Sequence, residues 1–223
     1  MSYSFLARFD TTQSTLPQIL DKLEGLFSEL GIQFQDSVSP LIEHKGWPTI
    51  DASSFESAPV QGLDEAGRMA SKWWGLGLYC VSLPLAQRLG EGDWMEVDFQ
   101  IFRAPNKKWT LSYMESKLAH RHRIEVEDAA RDFYELQLRL CGALGFRFSV
   151  YDEENYNISP LPTLKEIERR IERCARGELG CSIVVANTEM DLNRARTLAG
   201  PHAALVRQAT TGHILFPFLL SNE

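Results

Sequence analysis

A chain of 223 residues that is 44% apolar, 10% aromatic and 24% charged has the make-up of an ordinary folded protein. This excludes disorder, collagen-like repeats and a small disulfide scaffold, and no run reaches the roughly 20 apolar residues of a membrane span. Its 30 acidic residues outnumber 23 basic ones, so a formal charge of −7 offers nucleic acid or anionic lipid no positive field and suits a basic partner instead.

The N-terminal MSYSFLARFD carries neither a charged leader nor a long apolar run, so no secretory signal is expected. Tyr3, Phe5, Ala7 and Phe9 alternate as in a strand. Thr15 and Gln18 have capping-box spacing, and Leu16, Ile19, Leu20, Leu23, Leu26, Phe27 and Leu30 follow at helical intervals up to Gly31. Periodicity fades from Ser37 to Gly67, where Pro40, Pro48 and Pro59 suggest a long connection with at most a short strand. Trp73 to Leu83 is apolar on both alternating sets and reads as a strand covered on both faces.

Trp94–Arg103 and Lys108–Glu115 form a hairpin in this reading. Met95, Val97, Phe99 and Ile101 make its dry face, while Glu96, Asp98, Gln100, Thr110 and Ser112 make a wet one. Val126, Ala129, Ala130, Phe133, Leu136, Leu140 and Leu144 trace a helix that Gly145 can close, and Phe146–Tyr151 reads as a strand. Thr163 and Glu166 form a second capping box ahead of Leu164, Ile167, Ile171 and Cys174. Cys181–Ala186 is a strand, Leu192 to Val206 a helix broken at Gly200-Pro201, and His213–Leu220 a last strand that Pro217 pushes toward an edge. The expectation is a single α+β domain over 1–223, divisible into sub-lobes 1–118 and 119–223. It has one mixed, largely antiparallel sheet with helices mainly on one face.

The four cysteines, Cys80, Cys141, Cys174 and Cys181, read as reduced thiols, which places the protein in the cytoplasm. Cys174 and Cys181 are separated by six residues, more than the two to four or so between paired zinc ligands. His120 and His122 have same-side spacing with Glu125 and Glu127 nearby. Lys117, Arg121 and Arg123 would repel a cation there, so no metal is assigned. Gly75-Leu76-Gly77 lacks the third glycine and following helix of a dinucleotide fingerprint, and no cofactor is implied. Arg169, Arg170, Arg173 and Arg176 alternate with Glu166, Glu168 and Glu172 as a salt-bridged solvent face.

Asp152, Glu153 and Glu154 with Tyr156 form the densest acidic segment, read as a loop just beyond a strand. Trp47, in the proline-rich stretch, is the tryptophan best placed to anchor a partner. These features together suggest a non-catalytic interaction protein, of the kind that neutralises a basic toxin or nuclease, with Asp152, Glu153, Glu154, Tyr156 and Trp47 as the contact residues. The alternative is a small hydrolase or transferase with dispersed catalytic groups, its first candidates being the carboxylates of 152–154 and His120 and His122.

Overall fold

The computed structural model describes residues 3–9, 15–29, 31–42, 50–89, 93–103, 109–115, 127–153, 163–179 and 181–216. Its contacts divide the chain into two units, Asp10–Glu115 and Met1–Phe9 with Ser116–Glu223. Within each, every ladder among the described residues is antiparallel, and helices pack on the sheets: the class is α+β. The N-terminal strand, β1 (Tyr3–Phe9), belongs to the second unit.

In the unit Asp10–Glu115 the first helix, α1 (Leu16–Glu29), buries Leu16, Ile19, Leu20, Leu23, Leu26 and Phe27 on one stripe. The Thr15 amide donates to Gln18 Oε1 at 2.8 Å, and Gly31 stops the helix at φ +66. The segment expected as a long connection is instead built. After β2 (Ile32–Phe34), it holds β3 (Ser37–Pro40), β4 (Ala58–Pro59) and the first turns of a second helix, α2 (Gly62–Gly75). The stripe of α2 is Leu63, Ala66, Gly67, Ala70 and Trp73. Its spacing is helical, but three of the five side chains are too small to register as an apolar pattern. That smallness serves packing: a Cβ at Gly67 would sit 2.8 Å from Leu20 Cδ1 of α1.

The expected strand from Trp73 therefore splits. Trp73 to Gly75 end α2, the chain turns through Leu76 and Gly77 (φ +99), and β5 (Cys80–Leu89) begins seven residues later than expected. It runs through Pro84 and pairs along its whole length with β6 (Asp93–Arg103), which in turn pairs with β7 (Trp109–Glu115). On its other side β5 meets β2 at Leu85–Gln87 and β3 at Val81–Ser82. Pro84 falls in the gap between those two ladders. There its carbonyl accepts from Gln35 at 3.0 Å, and its missing N–H leaves no partner stranded.

The hairpin register follows the sequence pattern, with Phe99 opposite Tyr113 and Ile101 opposite Leu111. Val97, Phe99 and Ile101 are buried, and the Phe27 ring of α1 meets Phe99 edge-on at 5.3 Å. The opposite face is not wet where its side chains are described. Gln100 is 2% exposed, and Phe102 is buried with Tyr79 and Cys80 under Leu41 and Ile50. The side chains of Glu96, Asp98, Thr110 and Ser112 lie outside the described residues.

In the second unit the strand order is β10 (Arg207–Gln208), β11 (Gly212–Leu215), β9 (Cys181–Ala186), β8 (Phe146–Glu153), β1. The last strand is thus interior, and the edge is the two-residue β10. Helices cover both faces of the sheet here. Phe148 and Val150 of β8 and Ile183 and Val185 of β9 pack against Ile167 and Ile171 of α4 (Leu164–Ala175) and Leu198 of α5 (Leu192–Ala199). The alternate residues meet α3 (Glu127–Leu144): the rings of Phe133 and Tyr151 meet at 4.6 Å, tilted by 60°, Tyr134 and Ser182 share a 2.6 Å hydrogen bond, and Ser149 donates to Gln137 Oε1 at 2.6 Å. All six residues of β9 are buried, which requires a layer on each side.

Three consequences can be measured. Phe99→Ala removes a fully buried ring, and chemical denaturation should show a loss of about 3–5 kcal/mol. Gly212 has no room for a side chain, since a Cβ would lie 2.6 Å from the Val185 carbonyl oxygen, whereas Gly25 on α1 has open space. Gly212→Ala should destabilise by about 1–3 kcal/mol, while Gly25→Ala should stabilise by about 0.5–1 kcal/mol. His213 is buried beside Met190, whose carbonyl accepts from its Nε2–H at 3.1 Å. Burial lowers its pKa below 6.5, outweighing the Met190 bond and Asp191. The unfolded chain therefore takes up the proton first, and stability should fall as pH drops below about 6.5. A His213→Gln variant should show a shallower loss over that range in denaturation curves.

Candidate functional site

The helix α4 opens on the capping box expected of it. The Thr163 amide donates to Glu166 Oε2 at 2.6 Å, and the Glu166 amide donates to Thr163 Oγ1 at 3.3 Å. The cap sets the phase of the helix, and its buried stripe is Ile167, Arg170, Ile171 and Cys174. Arg170 is therefore not part of the solvent face assigned to the arginines of this helix: it is only 8% exposed. Arg173 and Arg176 do face outward, pairing with Glu178 at 3.2 and 2.6 Å, and Glu168 pairs with Arg194 at 3.2 Å.

The inward turn of α4 carries Cys174 onto the first residue of β9, Cys181. Their sulfurs are 2.6 Å apart, with Cys174 7% and Cys181 2% exposed. The Cys181 thiol donating to Cys174 holds the Cys174 pKa down against the effect of burial, aided by the charges of Arg170 and Arg173. The same bond and burial push Cys181 up, opposed in part by a hydrogen bond from Arg170. One sulfur is thus disposed to carry negative charge and its neighbour to keep the proton. Sequence spacing set this pair apart from paired zinc ligands but did not bring the two sulfurs together. The signal was present in the i, i+3, i+4, i+7 run from Ile167 to Cys174, which puts Arg170 and Cys174 on one stripe.

Three described cysteines, Cys80, Cys174 and Cys181, are free thiols. Cys80 differs from the pair: it is fully buried in a cluster with Tyr79 and Phe102, with no second sulfur beside it among the described residues. Among the described residues no three His, Cys, Asp or Glu side chains converge as a metal site.

Of the contact residues read from sequence, Asp152 and Glu153 are not in a loop but are the last two rungs of β8. Asp152 pairs with Ser4 of β1 and with Cys181 of β9, and Glu153 pairs with Tyr3. The strand outlasts its apolar pattern because a neighbour on each side supplies the ladder hydrogen bonds. Glu154, Tyr156 and Trp47 lie outside the described residues, as do His120, His122 and Glu125. Glu127 is the first residue of α3. Gly75-Leu76-Gly77 ends a helix instead of opening one, which is the reverse of a phosphate-binding turn. Leu76 there is 61% exposed, and Arg103 lies 5.7 Å from the Trp74 ring centre.

Compared with protein-family models, with curated proteins and with solved structures, the chain matches none.

Proposed function

We propose that the protein acts by contact with another protein that presents a basic surface, and that the acidic run beginning at Asp152 steers the encounter. The observation that carries this reading is the position of the run. A chain of charge −7 delivers its densest acidic segment from the end of a strand paired on both sides, so Asp152 and Glu153 start from a fixed main chain. Charges fixed in this way raise association rates without needing much buried area. Tyr156 and Trp47 are the aromatic anchors of the proposal, and neutralisation of a basic toxin or nuclease is its most specific form. Nucleic acid is disfavoured as a partner by the sign of the charge. The cytoplasm suits free thiols and is the compartment proposed.

The test uses a surface of immobilised polylysine and two triple variants of equal charge. Asp152→Asn/Glu153→Gln/Glu154→Gln should slow association severalfold at about 0.01 M salt and much less at about 0.15 M, where the Debye length falls to about 8 Å. Asp21→Asn/Glu24→Gln/Glu56→Gln alters exposed acids elsewhere and should have a clearly smaller effect. Equal slowing by both variants would show that net charge alone attracts the probe and would remove the 152–154 segment from the account. Unchanged thermal midpoints would confirm that folding is not what was measured.

A further inference from the structure

The Cys174–Cys181 pair has features that a packing role does not require. Buried cysteines that only fill space sit among apolar side chains, as Cys80 does. This pair instead has a guanidinium beside it, and Arg170 is itself almost fully buried. Placing a cation in an apolar layer is costly, and it lowers the cost of a thiolate at the same spot. The sulfurs already lie 2.6 Å apart, so about half an ångström separates them from the roughly 2.05 Å of a disulfide. They join the end of one element, α4, to the start of the next, β9.

We propose that Cys174 and Cys181 are a redox-active dithiol that reduces a hydroperoxide, with Cys174 as the attacking sulfur and Cys181 as the resolving one. The assignment follows from Cys174 being the more exposed of the two and lying one turn after Arg170 on the buried stripe of α4. In the first step the Cys174 thiolate attacks one peroxide oxygen, the O–O bond breaks, and the other oxygen leaves as an alcohol or water after taking a proton. Cys174 is then a sulfenic acid, oxidised by two electrons. In the second step the Cys181 sulfur attacks the Cys174 sulfur and the S–O bond breaks. Hydroxide leaves as water with the proton of the Cys181 thiol. The sum is one hydroperoxide and two thiols giving one disulfide, one alcohol and one water, and a thiol reductant reverses the disulfide. The acidic contact surface is a separate matter, and the thiol chemistry does not depend on it.

The experiment treats the full chain with a small excess of hydrogen peroxide, followed by alkylation and peptide mapping by mass spectrometry. The expected product has lost two hydrogens, carries one bond between Cys174 and Cys181, and returns to the starting mass with dithiothreitol. In Cys181→Ala, Cys174 should stop at the sulfenic acid and be trapped by dimedone. In Cys174→Ala, peroxide consumption should fall at least about tenfold. The wild-type map decides the matter even if a variant folds poorly. Modification of Cys80 or Cys141 ahead of the pair would overturn the proposal, as would Cys174 passing to sulfinic acid without a bond to Cys181. A Cys174→Ala protein consuming peroxide at the parental rate would overturn it as well.

Discussion

Burial of β9 on both faces is the constraint from which the second unit follows. A strand with no exposed residue cannot stand at a surface, so the sheet must be covered twice. The two coverings differ in kind. The α4 and α5 side is apolar, and each large aliphatic side chain buried there contributes about 1.5–3 kcal/mol. On the α3 side Tyr134, Gln137, Ser149 and Ser182 are joined by short hydrogen bonds, which fix the helix at one height on the strands. Apolar contacts alone would let it slide, whereas breaking one of these bonds would leave a buried group unsatisfied. The approach of the two sulfurs is a by-product of the same packing. To cover β9, α4 must bring its last turn down on the first rung of that strand, and cysteines occupy both positions.

The unit Asp10–Glu115 solves a related problem with fewer layers. Its long β5–β6 ladder carries α1 on the face of Val97, Phe99 and Ile101, and α1 in turn carries α2 through the contact at Gly67. The other face of the ladder is closed around Phe102 by Leu41 and Ile50. Pro84 can lie inside a paired strand because its neighbours there, β2 and β3, leave a break opposite it. The break occurs at Asp36, whose φ of +47 turns the chain and whose carboxylate accepts from the Gly62 amide at 3.1 Å. One local irregularity thus accommodates a proline and ties down the start of α2.

Elements whose signals are local were legible in the sequence. The capping box at Thr163, the Thr15–Gln18 contact, the stripe of α1, the β6–β7 register and the Gly145 stop depend on residues a few positions apart. What was not legible depended on what lies across from a residue. The α2 helix was hidden because Ala66, Gly67 and Ala70 have little apolar mass, and their smallness has meaning only against Leu20. The polar residue Gln100 reads as wet until the layer over it is seen. Arg170 reads as one more surface arginine unless its phase relative to Ile167 and Cys174 is weighed above its charge. Asp152 and Glu153 look like the start of a loop because acids are poor strand formers, and pairing on both sides at Asp152 and with Tyr3 at Glu153 overrides that preference. For the candidate site, residue types were visible but their meeting was not, since a helix end and a strand start must be docked before two sulfurs can be neighbours.

Amide hydrogen exchange across Ser116–Glu223 tests the central claim, that a doubly covered β8–β9 ladder organises this unit and sets the thiol pair. The amides of Ile183, Val184 and Val185 should be the slowest in the unit, opening only with global unfolding, while those of the short edge strand Arg207–Gln208 exchange early. Exchange at Ile183–Val185 as fast as at Arg207–Gln208 would contradict the account, because a strand without protection cannot be the one on which both helical layers depend.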